Sequence, residues 1–451
     1  MCQELAMRDD YDHVAPRLTG TKEGTFAYLT VRDRWPKIVT GLVDQLARKR
    51  NELIDRYGNA VESDIQGIMG KFAQLRYEIM CDKPLKIFSE NGFDGPKWRQ
   101  LVTDMKTAAM PDDMELLTYF KGPWLFVECY LYRFIYSAFL CTEKLSDMDY
   151  FEDSKQKNFM DHLPQVEEAA SFINKIIASD APAHDMFAVG TMFRMSLWGN
   201  RADMSLTGGD DHTMEMTSVV ASAKLNDFIL IDDTYNLMMR VLGPLLKNER
   251  KRQDRRIDIV LDNAGVELTG DLILALFLLR RGFTDKVVLH GKAIPWFVSD
   301  VTEKDFRWTI DSLKETGPEG ERLMEHLKNC VLEEKIVFEA DWFWTSPHPY
   351  FVMEEEAPEL YAELQTSSLV IFKGDLNYRK LVGDRDWDLN TSFEKACRGF
   401  SPCPYFALRT LKAETVAGLS EETIDKILEK FEEDNQWMTS GEYAVLQLGN
   451  A

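Results

Sequence analysis

After about residue 225 the chain carries seven short apolar runs, at 228–231, 257–261, 287–289, 296–298, 336–338, 369–372 and 405–408, with helical periodicity between several of them. Runs that are apolar without alternating with polar residues suit strands buried on both faces, as in a parallel sheet covered by helices. Between the second run and the third, Leu272, Ile273, Ala275, Leu276, Leu278 and Leu279 form a helix that Gly282 can close in the left-handed conformation. Strand, helix and strand make a βαβ unit. Near the end, Ser420 can cap a helix whose first turn carries Glu421 and Glu422, which complement the helix dipole. Its expected inner face is Ile424, Ile427, Leu428 and Phe431.

Before residue 225 the pattern is helical. Pro36 suits a first helical turn, and Ile38, Val39, Leu42, Val43 and Leu46 follow at spacings of three and four. Residues 124–140 are dense in aromatics and predict a helix buried between others, while the polar stretch 146–161 reads as a loop. A further helix follows Pro164, with Val166, Phe172, Ile173, Ile176 and Ile177 inward. A chain of 451 residues exceeds what one core usually supports. The expected fold class is therefore α/β, a three-layer α/β/α sandwich with a mostly parallel sheet, preceded by an all-helical domain. The expected division is a helical part over 1–215 and an α/β/α catalytic part over 216–451.

Charge and cysteine usage exclude several classes. Asp plus Glu outnumber Lys plus Arg by 75 to 53, a net charge of −22, and the one basic run is 247–256. Such a surface repels phosphate backbones and anionic lipid, so neither nucleic acid nor membrane is an expected partner. The seven cysteines are odd in number and scattered, and Cys397 and Cys403 fit no common zinc spacing, so reduced thiols in the cytoplasm or nucleus are expected. The N-terminal sequence lacks the basic segment and apolar run of a signal peptide, and no apolar stretch reaches the roughly 20 residues of a membrane span. Neither a Rossmann glycine fingerprint, a P-loop, a serine-hydrolase elbow nor His-Glu-x-x-His is present.

In open α/β sheets ligands bind beyond the carboxyl ends of the strands, where loops converge and helix N-termini point at the ligand. Asp262, Asn263 and Glu267 follow the 257–261 run, and His290 and Lys292 follow 287–289. Ser299 and Asp300 follow 296–298, Lys373, Gly374, Asp375, Leu376 and Asn377 follow 369–372, and Arg409, Thr410 and Lys412 follow 405–408. Asp262, Asn263 and Asp300 are hard oxygen donors suited to Mg²⁺, Mn²⁺ or a similar ion. Lys373, Arg409 and Lys412 bring positive charge for an anion. A divalent ion and cations in one crevice are the equipment of phosphoryl transfer. Asp-Asn-Ala-Gly and Lys-Gly-Asp are also ordinary turns, and Arg409 and Lys412 could simply be solvated.

The segments SLWGNRADMSL (196–206), IDIVLDNAGVELTGDLILALFLL (257–279), HGKAIPWFVSDVT (290–302), SSLVIFKGDLNYRKL (367–381) and LRTLK (408–412) resemble the damage-control phosphatase family, in the branch also called acidic-residue methyltransferases. The resemblance implies a metal-dependent phosphatase acting on sugar phosphates such as fructose 1-phosphate and fructose 6-phosphate. It implies Mn²⁺, Co²⁺, Ni²⁺ or Mg²⁺ on Asp262, Asn263 and Asp300, with substrate on these residues and on Glu267, Lys373, Gly374, Asp375, Leu376, Asn377, Arg409, Thr410 and Lys412. Asn200 and Asp203 are possible supports behind them. The alternative is a protein-glutamate O-methyltransferase using S-adenosylmethionine. It ranks second, because no glycine-rich strand-to-helix loop is present to hold that cofactor and a metal-binding Asp-Asn pair has no evident task in methyl transfer.

Overall fold

The computed structural model describes residues 14–90, 92–109, 117–179, 185–199, 225–247, 255–431 and 435–451. Two compact units result, one formed by Met1–Tyr150 with Asp384–Asp386, the other by Phe151–Gly383 with Trp387–Ala451. The division thus falls some sixty residues earlier than the change of pattern at 215 suggests. The reason lies in packing: Phe159, Val166, Ile173, Val189 and Phe193 are helical, yet they share one core with the sheet.

The first unit is helical. Its main elements are α1 (Trp35–Tyr57), α2 (Val61–Met80), α3 (Gly95–Ala109) and α4 (Trp124–Leu140). Pro36 sits in the first turn of α1, and Val39, Leu42 and Leu46 are its buried stripe, as the spacing requires. Helix α4 is buried nearly all round, so its polar members must be paired. Arg133 meets Glu90 at 2.8 Å and Asp94 at 2.7 Å, and its guanidinium lies 5.2 Å from the centre of the Phe88 ring. No helix among the described residues is long and apolar enough to cross a membrane.

The second unit begins with α5 (Glu152–Met160), α6 (Leu163–Ala178) and α7 (Met186–Trp198). Helix α5 lies where the polar stretch predicted a loop. Only Phe159 and Lys155 of that helix are buried, so it shows no apolar stripe. Next come β1 (Ile229–Asp232), β2 (Arg256–Val260), α8 (Val266–Arg280), β3 (Lys286–Gly291), α9 (Glu303–Ser312) and α10 (Pro318–Leu332). They are followed by β4 (Ile336–Ala340), α11 (Pro358–Leu364), β5 (Leu369–Lys373), α12 (Gly374–Val382), β6 (Tyr405–Thr410), α13 (Glu421–Phe431) and β7 (Ala444–Gly449).

The strand order is β1-β7-β6-β5-β2-β3-β4. All pairs are parallel except β6 with β7. On one face Ile257, Ile259, Leu289, Leu369, Ile371, Phe406 and Leu446 pack with α6, α7, α8 and α10. On the other, Phe372 and Tyr405 meet the rings of Tyr350, Phe393 and Phe400. The sandwich is therefore α/β/α, with a helical N-terminal part, as the runs predicted.

Helix α8 ends in the expected way: Gly282 has φ +76°, its N–H bonds Leu279 O, and Phe283 N–H bonds Leu278 O. Ser420 Oγ accepts from Thr423 N at 3.2 Å at the head of α13, though Leu428 is exposed rather than inward. One strand expectation fails: residues 297–299 form a turn, with Phe297 at φ +44° and Val298 at φ +71°. Strand β7 was not foreseen, and it lies inside the sheet between β1 and β6.

Candidate functional site

The loops after β2 and β3 are tied together by backbone. Val301 N donates to Asp262 O at 2.9 Å, Ala264 N donates to Ser299 O at 2.7 Å, and Asn263 and Asp300 form an isolated antiparallel bridge. Asp262, Asn263 and Asp300, separated by up to 38 positions in sequence, therefore stand side by side at the carboxyl end of the sheet. The turn that returns the chain to Asp300 uses Val298 in the left-handed region, a conformation that costs a β-branched residue roughly 1–3 kcal/mol.

Side chains then hold the three in place. Asn263 Nδ2 donates to Asp262 Oδ2 at 2.9 Å and to Glu267 Oε2 at 2.8 Å, and its Oδ1 accepts from Ser299 Oγ at 2.5 Å. Lys292 Nζ is 3.0 Å from Asp300 Oδ2 and donates to Leu261 O at 3.0 Å. Gly374, at φ +81°, passes so close that a Cβ there would stand 1.8 Å from Asp262 Oδ2. The position thus requires glycine on both conformational and steric grounds.

The cations are more engaged than their positions suggest. Lys373 is fully buried, and its ammonium meets Glu267 Oε1 at 2.9 Å, Asp271 Oδ1 at 2.8 Å and Ser196 O at 2.6 Å. Those three partners match the three donors of an ammonium. Burial pulls this lysine down, but the Asp271 and Glu267 carboxylates more than offset it, leaving it above the ordinary lysine range. Burial pushes Asp271 up to about 6, with Lys373 holding it back.

Arg409 is likewise enclosed. Its guanidinium holds Asp375 Oδ1 at 2.7 Å, Thr415 O at 2.5 Å and Ala413 O at 3.0 Å, over the ring of Tyr378. Asn377 donates to Lys373 O at 2.7 Å and accepts from Tyr350 Oη at 2.5 Å, which ties the start of α12 to its own strand end. Lys373, Arg409 and Asn377, which the resemblance assigns to substrate, are thus each engaged by groups of the protein. Asp375 Oδ1 also receives the Lys412 amide at 3.1 Å. Leu376, Thr410 and Lys412 are buried beside these residues in the chain. Asn200 and Asp203 lie outside the described residues, as do residues 248–254 of the basic run.

Sequence reasoning gave no role to four residues that now have one. Lys292 stands at a strand end and pairs with Asp300. Asp271 is an acid inside an otherwise apolar helical run, a signal that it must meet a buried cation. Ser196 Oγ donates to Asp271 at 2.6 Å. Asp258, in mid-strand, is held by His290 Nε2 at 2.7 Å and by Arg256. Burial opposes its charge, but His290 and Arg256 keep it below the usual carboxylate range.

Asp262 and Asp300 are carboxylates and Asn263 an amide, so the set offers hard oxygen donors that fit a small divalent ion. No three His, Cys, Asp or Glu side chains converge as a metal cluster among the described residues. A metal shell here would thus draw on the Asn263 amide and on water or substrate.

A family model described as the damage-control phosphatase ARMT1-like domain matches residues 30–427. The damage-control phosphatase ARMT1 of Mus musculus is 37% identical over 443 residues, covering 95% of this chain and 97% of that protein. Its namesake in Danio rerio is 35% identical over 444 residues, with 96% of each chain covered. The Homo sapiens protein is 36% identical over 443 residues, 96% of this chain and 98% of its own.

Proposed function

The chain belongs to the damage-control phosphatase ARMT1-like family, and from that membership and the strand-end site we propose that it hydrolyses sugar phosphates with the help of a divalent ion. Membership makes it a phosphatase of metabolite damage control. The finer reading is that fructose 1-phosphate and fructose 6-phosphate are substrates, and that Asp262, Asn263 and Asp300 hold Mn²⁺, Co²⁺, Ni²⁺ or Mg²⁺. One observation carries it: the backbone bridge that joins the Asp262-Asn263 turn to Asp300.

A bound divalent ion supplies Lewis-acid charge for the phosphoryl oxygens. The chain's own residues supply the rest. Lys292 and the Asn263 amide fix the two carboxylates, so little reorganisation is needed when charge develops on phosphorus. Glu267 is held between Asn263 and Lys373, and this orients the amide. Lys412, its amide anchored by Asp375, is the cation we assign to the substrate phosphate. Arg409 stiffens the loop that carries it. A net charge of −22 opposes large polyanions, whereas a small phosphate ester needs only local positive charge.

A panel of phosphate esters assayed with a panel of divalent ions tests this reading. The expected result is phosphate release from fructose 1-phosphate and fructose 6-phosphate well above that from nucleotides or phosphopeptides. Equal rates on all esters, or none on hexose phosphates, would remove the substrate assignment.

A further inference from the structure

We propose that α5 is a clamp that holds the two ligand-bearing turns at one separation, with Lys155 and Asn158 as its positioning residues. The inference deepens the reading above and rests on it.

The two side chains leave α5 three residues apart, so they lie on one helix face about one turn apart. Each reaches a different strand-to-helix turn. Asn158 Oδ1 accepts from Val266 N at 3.3 Å, at the first residue of α8. The same oxygen is packed on Gly265: a Cβ added there would stand 2.2 Å from it, and Gly265 has φ +73°. Asn158 therefore seats the turn that follows Asp262 and Asn263. Lys155 Nζ reaches Asp305 Oδ2 at 2.7 Å, with both side chains buried. Asp305 Oδ2 also accepts from Thr302 N at 2.8 Å and Thr302 Oγ1 at 2.7 Å, the box that starts α9 two residues beyond Asp300. Lys155 therefore seats the turn that follows Asp300.

The helix carrying them is anchored separately. Phe159 is fully buried and meets the ring of Trp308 on α9 edge to face, at 5.4 Å. Packing of α5 and its two polar contacts can thus be changed independently. Through these contacts Asn158 orients the backbone of the turn after Asn263, and Lys155 orients that of the turn after Asp300. Supports of this kind typically change metal affinity by about 10–100-fold when removed.

The test is Mn²⁺ binding to metal-stripped full-length protein by calorimetry, with thermal unfolding of the metal-free protein alongside. Four proteins are compared: wild type, Asn158→Ala, Asn158→Asp and Phe159→Leu. The clamp predicts that Asn158→Ala weakens Mn²⁺ binding about tenfold or more. Asn158→Asp keeps the acceptor oxygen and should bind Mn²⁺ more tightly than Asn158→Ala. Phe159→Leu should lower the unfolding temperature of the metal-free protein while leaving Mn²⁺ affinity near that of the wild type. Unchanged affinity in Asn158→Ala overturns the clamp, as does an equal loss in Phe159→Leu. If the wild type itself binds no divalent ion, the metal reading fails first and the clamp with it.

Discussion

Asp262→Ala should lower kcat/KM for fructose 1-phosphate by on the order of a thousandfold, because it removes a preorganised charge from the reacting centre. The carboxylate is buried, accepts from Asn263 at 2.9 Å, and lies beneath the backbone of Gly374. Fold damage is separable from lost chemistry by a second variant. Asp262→Asn retains shape and loses charge, so it should be as inactive as the alanine protein while unfolding close to wild type. The loss from Asp262→Ala itself should stay near 1–3 kcal/mol, the cost of one orphaned buried donor. Steady-state kinetics and denaturant unfolding give the two numbers.

Lys373→Met should be the most destabilising single change in the second unit. It leaves Glu267 and Asp271 facing each other in a dry interior with no countercharge, which costs roughly 3–5 kcal/mol. For a unit of this size that is about 10 °C in the unfolding midpoint. The defect should depend on pH, and the sign follows from Asp271. Burial raises that carboxyl from 3.8 to about 6. A carboxyl raised in the folded state contributes stability that is present below about pH 4 and lost as pH rises through about 6. Without Lys373 it rises further, so the gap between variant and wild type should be wider at about pH 8 than at about pH 5. Adding Asp271→Asn should recover part of the loss, since one of the two orphaned charges is then gone. Urea unfolding at the two pH values reads both effects.

The legible parts of this molecule are those set by local burial. Buried strands such as Ile257 and Ile259 announce themselves as unbroken apolar runs, and the strand-end rule then points to Asp262 and Asn263; Asp300 is reached through an expected strand that is a turn. What escaped depends on long-range pairing. Lys373 and Arg409 sit at strand ends, yet the acids and carbonyls they meet come from Asp271, Glu267, Asp375 and Thr415. A helix that buries polar groups shows no apolar stripe, which is why α5 reads as a loop. Trp296, Phe297 and Val298 are apolar like a strand, but two of them turn in the left-handed region to aim Asp300. Strand β7, AVLQLG, has Gln447 interrupting its apolar run, and it is placed by pairing with β6 on one side and β1 on the other. The unit boundary after Tyr150 was not legible either, because helices α5 to α7 belong to the sheet by packing and to the first half only by composition.

The central claim is that hydrolysis depends on a divalent ion held by the Asp262, Asn263 and Asp300 set, and removing the ion tests it most directly. Full-length protein is treated with chelator, desalted, and assayed for phosphate release from fructose 1-phosphate before and after adding Mn²⁺, Co²⁺ or Ni²⁺. The account predicts background activity after stripping and recovery on adding one of these ions, with no recovery in Asp262→Ala. Undiminished hydrolysis by the stripped protein would contradict it.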